Sequence, residues 1–139
     1  MEANELMIGD WVLVNGTPMQ IQAINDIDGE IMASDELYCL IEDRAHSEDK
    51  VEPISLTPEI LEKNGFERRK LDGGADVFVL AYDYYDITIE EWSDSIWVVR
   101  YDCTEMSTPH EQAVCGYVHQ LQNFFRLSAP DELADNFKV

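Results

Sequence analysis

The first third of the chain alternates short apolar runs with tight polar turns. Trp11-Val12-Leu13-Val14 is followed by Asn15-Gly16 and then by Met19-Gln20-Ile21-Gln22-Ala23-Ile24. Asn-Gly between two β-prone runs predicts a hairpin, because both residues tolerate the positive φ that a type I′ turn demands. Apolar Met19, Ile21 and Ala23 alternate with Gln20 and Gln22, which predicts one buried and one wet face for that strand. Asp28-Gly29 supplies the next turn, with candidate strands at Glu30–Ala33 and Leu37–Ile41. A polar loop, Glu42–Lys50, leads to Val51-Glu52-Pro53-Ile54, where Pro53 confines its strand to a sheet edge. Short strands in this number, opened by Ile8-Gly9-Asp10, suggest a small SH3-like β-barrel over residues 1–56.

The pattern changes at Thr57-Pro58-Glu59. Thr57 suits an N-cap, Pro58 the first helical position and Glu59 the positive end of the dipole, while Asn64-Gly65 offers a left-handed stop. A two-turn helix over Pro58–Lys63 follows. Phe66–Leu71, Val77–Tyr82, Ile87–Trp92 and Ile96–Tyr101 are rich in β-branched and aromatic residues. Asp72-Gly73-Gly74, Asp83–Asp86 and Ser93–Ser95 join them as turns, so an antiparallel meander is expected.

The last long pattern has helical period. Thr108 and Glu111 match a capping box, and Ala113, Val114, Tyr117, Val118, Leu121, Phe124 and Phe125 fall on one side at 100° per residue. A helix over Pro109–Arg126 is expected, its apolar side covering the meander and its polar side carrying Cys115, His119, Gln122, Asn123 and Arg126. One short turn at Asp131–Asn136 ends the chain before it frays at Val139. The fold class is therefore α+β, with a β unit at 1–56 and a helix, sheet and C-terminal helix at 57–139, the two continuous or separate.

Composition narrows the function. In 139 residues, 29 Asp and Glu face 9 Lys and Arg, a net charge of −20, yet 45% of residues are hydrophobic. Such a chain builds a core and repels DNA and anionic membranes, so direct nucleic-acid binding and membrane association are not expected. A basic protein partner is the natural complement, and self-repulsion favours a monomer or small homo-oligomer. No signal-peptide pattern and no apolar stretch of membrane-spanning length occur, which points to the cytoplasm. Cys39, Cys103 and Cys115 are odd in number and lack C-x-x-C spacing, so reduced thiols are expected.

Candidate chemistry is sparse. Cys115 and His119, four apart, could form a nucleophile and base or half a metal site, but no third partner stands at a telling spacing. The bland reading is a packing or docking face that includes Gln122, Asn123 and Arg126. Lys63, Arg68, Arg69 and Lys70 gather almost half of the basic residues; they could grip an acidic partner or a phosphate, or pair with neighbouring acids on the sheet. Asp26-Ile27-Asp28-Gly29-Glu30 echoes a calcium loop, but its flanks read as strands and a plain turn is the simpler reading. Asp83-Tyr84-Tyr85-Asp86 and Glu90-Glu91-Trp92 place carboxylates beside aromatic rings, and Glu90 and Glu91 point to opposite faces of a strand, so they cannot act as a catalytic pair. No enzyme, metal or cofactor is expected.

Three segments look familiar together: Ala3-Asn4-Glu5-Leu6-Met7-Ile8-Gly9-Asp10-Trp11-Val12, Pro53 to Phe66 around Leu56-Thr57-Pro58-Glu59-Ile60-Leu61, and Tyr117-Val118-His119-Gln120-Leu121-Gln122-Asn123-Phe124-Phe125. They resemble small uncharacterised proteins encoded by gut Bacteroidetes bacteria and by their phages and prophages. The resemblance implies an accessory role and supplies no site residues. Two binding readings stand beside the enzyme one: an interaction module of a phage or mobile element, docking by a barrel edge or the His119 face, and an acidic mimic of nucleic acid. The acids are spread along the chain rather than arrayed on one face, which favours the module.

Overall fold

In a computed structural model the chain is mixed α+β, built mainly of antiparallel strands in two five-stranded sheets. The structure describes residues 6–25, 30–34, 44–45, 51–82, 85–93, 96–103, 111–128 and 131–139. The chain divides into two compact units, Met1–Ile54 with Val139, and Ser55–Lys138.

The first unit holds β1 (Trp11–Val14), β2 (Thr17–Asn25), β3 (Glu30–Ser34), β4 (Arg44–Ala45) and β5 (Val51–Pro53), in the order β4-β3-β2-β1-β5. Asn15 at φ 51° and Gly16 at φ 84° make the expected hairpin between β1 and β2. Among the described residues β5 pairs only with β1, so Pro53 lies there on an edge strand. Among the described residues no pairing between β4 and β5 closes the sheet into a barrel. Leu6, Val12, Val14 and Ile21 form the core, with Met19 and Val51 packed against it.

Two expectations change here. Gln20 is buried rather than wet, because the segment before β1 crosses its face and its Nε2 donates to the Gly9 carbonyl at 3.2 Å. That segment is held at Ile21, whose carbonyl accepts from Gly9 N (2.8 Å) and whose N–H donates to Asp10 O (2.9 Å). The buried Asp10 carboxylate accepts from Met7 N at 2.9 Å. Arg44 and Ala45, expected in a loop, pair with β3 instead. The candidate strand Leu37–Ile41 and the Asp28-Gly29 turn lie outside the described residues.

The second unit begins with α1 (Pro58–Lys63). Thr57 Oγ1 accepts from Ile60 N at 3.2 Å, and Pro58 sits where a missing N–H costs nothing. At the other end Gly65 (φ 89°) donates to Glu62 O and Phe66 N to Leu61 O, both at 3.1 Å, which is a Schellman stop. Then come β6 (Glu67–Lys70), β7 (Asp76–Tyr82), β8 (Tyr85–Ser93), β9 (Ile96–Cys103) and β10 (Glu111–Cys115), in sequential order across the sheet. Tyr85 and Asp86, expected in a turn, pair with β7 because the hairpin is tighter.

The main correction lies at β10. Glu111–Cys115 pairs with β9 as a fifth strand, and α2 starts only at Val118, running to Ser128. Apolar spacing over residues 113–118 satisfies a helix and a strand alike, but Gly116 is a poor helix residue and the edge of β9 offers hydrogen bonds. Glu111 therefore closes no capping box. Instead Gln120, at the third helical position, reaches back, its Oε1 accepting from Gly116 N (2.8 Å) and Tyr117 N (3.2 Å).

α3 (Asp131–Asp135) forms the expected last turn and packs on α2. The tail is held as far as Lys138: Phe137 is buried, and the Asn64 side chain clamps the Lys138 backbone, its Nδ2 donating to Lys138 O and its Oδ1 accepting from Lys138 N, both at 2.8 Å. Phe66, Leu80, Phe125 and Phe137 line one small cavity, so the helices and tail share the sheet face that carries Phe78 and Leu80. Ile87, Ile89, Trp97, Val99 and Cys115 are buried there, with Trp97 edge-on to Phe78 at 5.9 Å.

Candidate functional site

The presumed polar face of the last helix does not exist as a surface. Cys115 belongs to β10 and is buried, and burial pushes its thiol up to about 11, far from a nucleophile's range. His119 is 4% exposed and stacks on Tyr117 at 5.9 Å, and Gln122 is fully buried. Gln122 Nε2 donates to Ala134 O at 3.1 Å, so it fastens α3 to α2. Only the partly buried Asn123 and Arg126 remain toward the surface, joined by a 2.7 Å hydrogen bond from Arg126. The reason is tertiary: α3 covers the flank of α2 that periodicity alone leaves to water. Among the described residues no group of three metal-ligating side chains comes together.

Strand alternation splits the basic run. Arg68 sits opposite Phe78 on the helix-covered face, its guanidinium 5.2 Å from that ring, 2.8 Å from Glu62 and 4.0 Å from Asp76. It is an internal counterweight to two acids. Arg69 sits opposite Val77 on the other face, 3.2 Å from Glu67, and Lys63 closes the last turn of α1.

Two concavities of the second unit remain as sites. In the first, a bulge between Glu91 and Ser93 takes Trp92 out of the strand alternation. Trp92 is left 60% exposed and lines a cleft of about 330 Å³ with Pro58, Asp76, Phe78 and Glu91. An indole in a cleft lined by two carboxylates, of which Asp76 already meets Arg68, suits a cation: the ring quadrupole and the acids attract the same charge. The second is a groove of about 360 Å³ on the opposite face of the sheet, lined by Val79, Arg69, Arg100 and Glu90, with the buried Val77 and Val98 beneath. Lys70 and Thr88 also reach it.

Of these residues, the sequence pointed to Trp92, Glu90, Glu91, Arg69 and Lys70. Asp76, Arg100 and the valines escaped notice because they come together only through register. The signal that finds them is pairing: Val77 opposite Glu90, and Glu90 opposite Val98. Adjacent Glu90 and Glu91 do oppose different neighbours, Val98 and Trp97, and so face opposite ways.

No helix is long and apolar enough to cross a membrane among the described residues. Compared with known families, curated proteins and solved structures, the chain matches none. What fold and site define is thus a class: a mainly antiparallel α+β protein with solvent-open clefts on its second sheet.

Proposed function

We propose that this protein is a non-enzymatic protein-interaction module that takes a basic partner at the Trp92 cleft. The observation that carries the reading is Trp92 itself, an exposed indole between Asp76 and Glu91 in a chain of net charge −20. Tryptophan is enriched among binding hot spots, and the field of the whole chain steers a cationic segment toward it. A Lys or Arg side chain fits: its charge meets the Trp92 ring face and the exposed Glu91 carboxylate while its methylenes lie along the indole. The first unit is read as a small SH3-like barrel; the return of β5 to the outer edge of β1 supports that reading. As part of the same proposal the protein plays an accessory role in the cytoplasm, and self-repulsion at a net charge of −20 favours a monomer or small homo-oligomer.

Titration with an Arg/Lys-rich peptide and a Glu-rich counterpart, followed by the indole NMR signal of Trp92, tests the proposal. The signal should move with the basic peptide alone, and Trp92→Ala should abolish binding. An unmoved Trp92 signal at saturating peptide would sink it. A basic protein that binds Trp92→Ala equally well and is released by duplex DNA would support nucleic-acid mimicry instead.

A further inference from the structure

Register sets the shape of the groove on the opposite face of the sheet. Arg69, Val77, Glu90 and Val98 form one cross-strand row, and Val79, Thr88 and Arg100 belong to the next. Arg69 stands on β6 and Arg100 on β9, three inter-strand steps apart in the sheet. At the usual strand spacing that is about 14 Å between backbones. The cations therefore stand at opposite ends of the groove, with Thr88 and Glu90 of β8 lying between the valines of β7 and β9.

We propose that this groove binds a compact aliphatic dicarboxylate, one carboxylate meeting Arg69 and the other Arg100, with the methylene chain lying along the half-buried Val79. The volume of about 360 Å³ is near the lower end for small-ligand pockets, which suits a short chain rather than a long lipid tail. Both guanidiniums can turn to a ligand. Arg100 is 4.0 Å from Glu90, an ion pair too long for a hydrogen bond, and Arg69 meets Glu67 in a pair whose side chains are both more than half exposed. Planar forks match carboxylates in a way ammonium groups do not. Glu90 is the antagonist: its carboxylate borders the groove beside Arg100 and competes with the incoming anion.

Calorimetric titration of the intact protein with α,ω-dicarboxylates from succinate to sebacate, beside monocarboxylates and diols of equal length, tests the proposal. Kd should pass through a minimum at intermediate length and be about tenfold weaker for the matched monocarboxylate, the effect of one charge-assisted contact. Arg69→Gln and Arg100→Gln should each bring the dicarboxylate to the level of the monocarboxylate, while Arg68→Gln, on the covered face, should change nothing. Glu90→Gln should tighten binding severalfold, a gain that damage to the fold cannot imitate. No binding at any length, equal binding of the diol, or indifference to Arg100→Gln would overturn it. Neither outcome bears on the Trp92 cleft, whose lining residues Arg69→Gln, Arg100→Gln and Glu90→Gln leave unchanged.

Discussion

The two faces of the second sheet are built from the same strands, often from adjacent residues, yet they do different work. One carries Phe78, Ile87, Ile89, Trp97 and Val99, closed over by helices, and holds the fold. The other carries Arg69, Glu90 and Arg100 around a groove, with Ile96 and Val114 (64% exposed) nearby, although Val77 and Val98 beneath it are buried too. A residue's job here is decided by parity along the strand. Arg68 and Arg69 illustrate it: one is consumed by Glu62 and Asp76, the other borders a groove. Substitutions on the two faces should therefore differ in kind as well as in size.

The largest effect is expected from Trp97→Ala, which empties a buried aromatic site against Phe78 and should cost about 3–5 kcal/mol in denaturant unfolding. Val114→Ala on the other face should cost less than about 0.5 kcal/mol. Equal losses would erase the distinction.

Cys115 gives the next effect, through pH. Its pKa in the folded protein is raised from 9.0 to about 11 by burial, so the folded state holds a proton that the unfolded state has lost within that window. Its contribution is fully present below about pH 9 and is lost as pH rises toward about 11, roughly 2–3 kcal/mol in all. Unfolding free energies measured across that range should fall more steeply for the native chain than for Cys115→Val.

Gln122→Leu keeps the bulk of the side chain but strands the Ala134 carbonyl, and should cost about 1–3 kcal/mol. Hydrogen exchange should locate the loosening in α3. Thr57→Ala removes the cap of α1 and should cost about 1 kcal/mol, seen as a lowered melting temperature. The smallest effect belongs to the groove: Arg69→Gln should shift stability by no more than about 0.5 kcal/mol, since its pair with Glu67 is exposed on both sides.

Much of the architecture was legible where local chemistry suffices. The Asn15-Gly16 hairpin, the Thr57 cap with Pro58, the Gly65 stop and the last turn at Asp131 depend on residues near one another in sequence. Each has few ways to satisfy its backbone, and the residues name which one is taken. Segments with two acceptable local answers were not legible. Ala113-Val114-Cys115 suits a helix or a strand, and the free edge of β9 chose the strand; His119 and Gln122 look wet on a helical wheel, yet both are buried, Gln122 against α3. The candidate sites follow the same division. Trp92 and the basic run stand out as residues, but the cleft and the groove exist only because register sets Asp76, Arg100 and the valines beside them. Covalent neighbours constrain dihedral angles and caps, whereas burial and the company of a side chain depend on distant segments that no local pattern records.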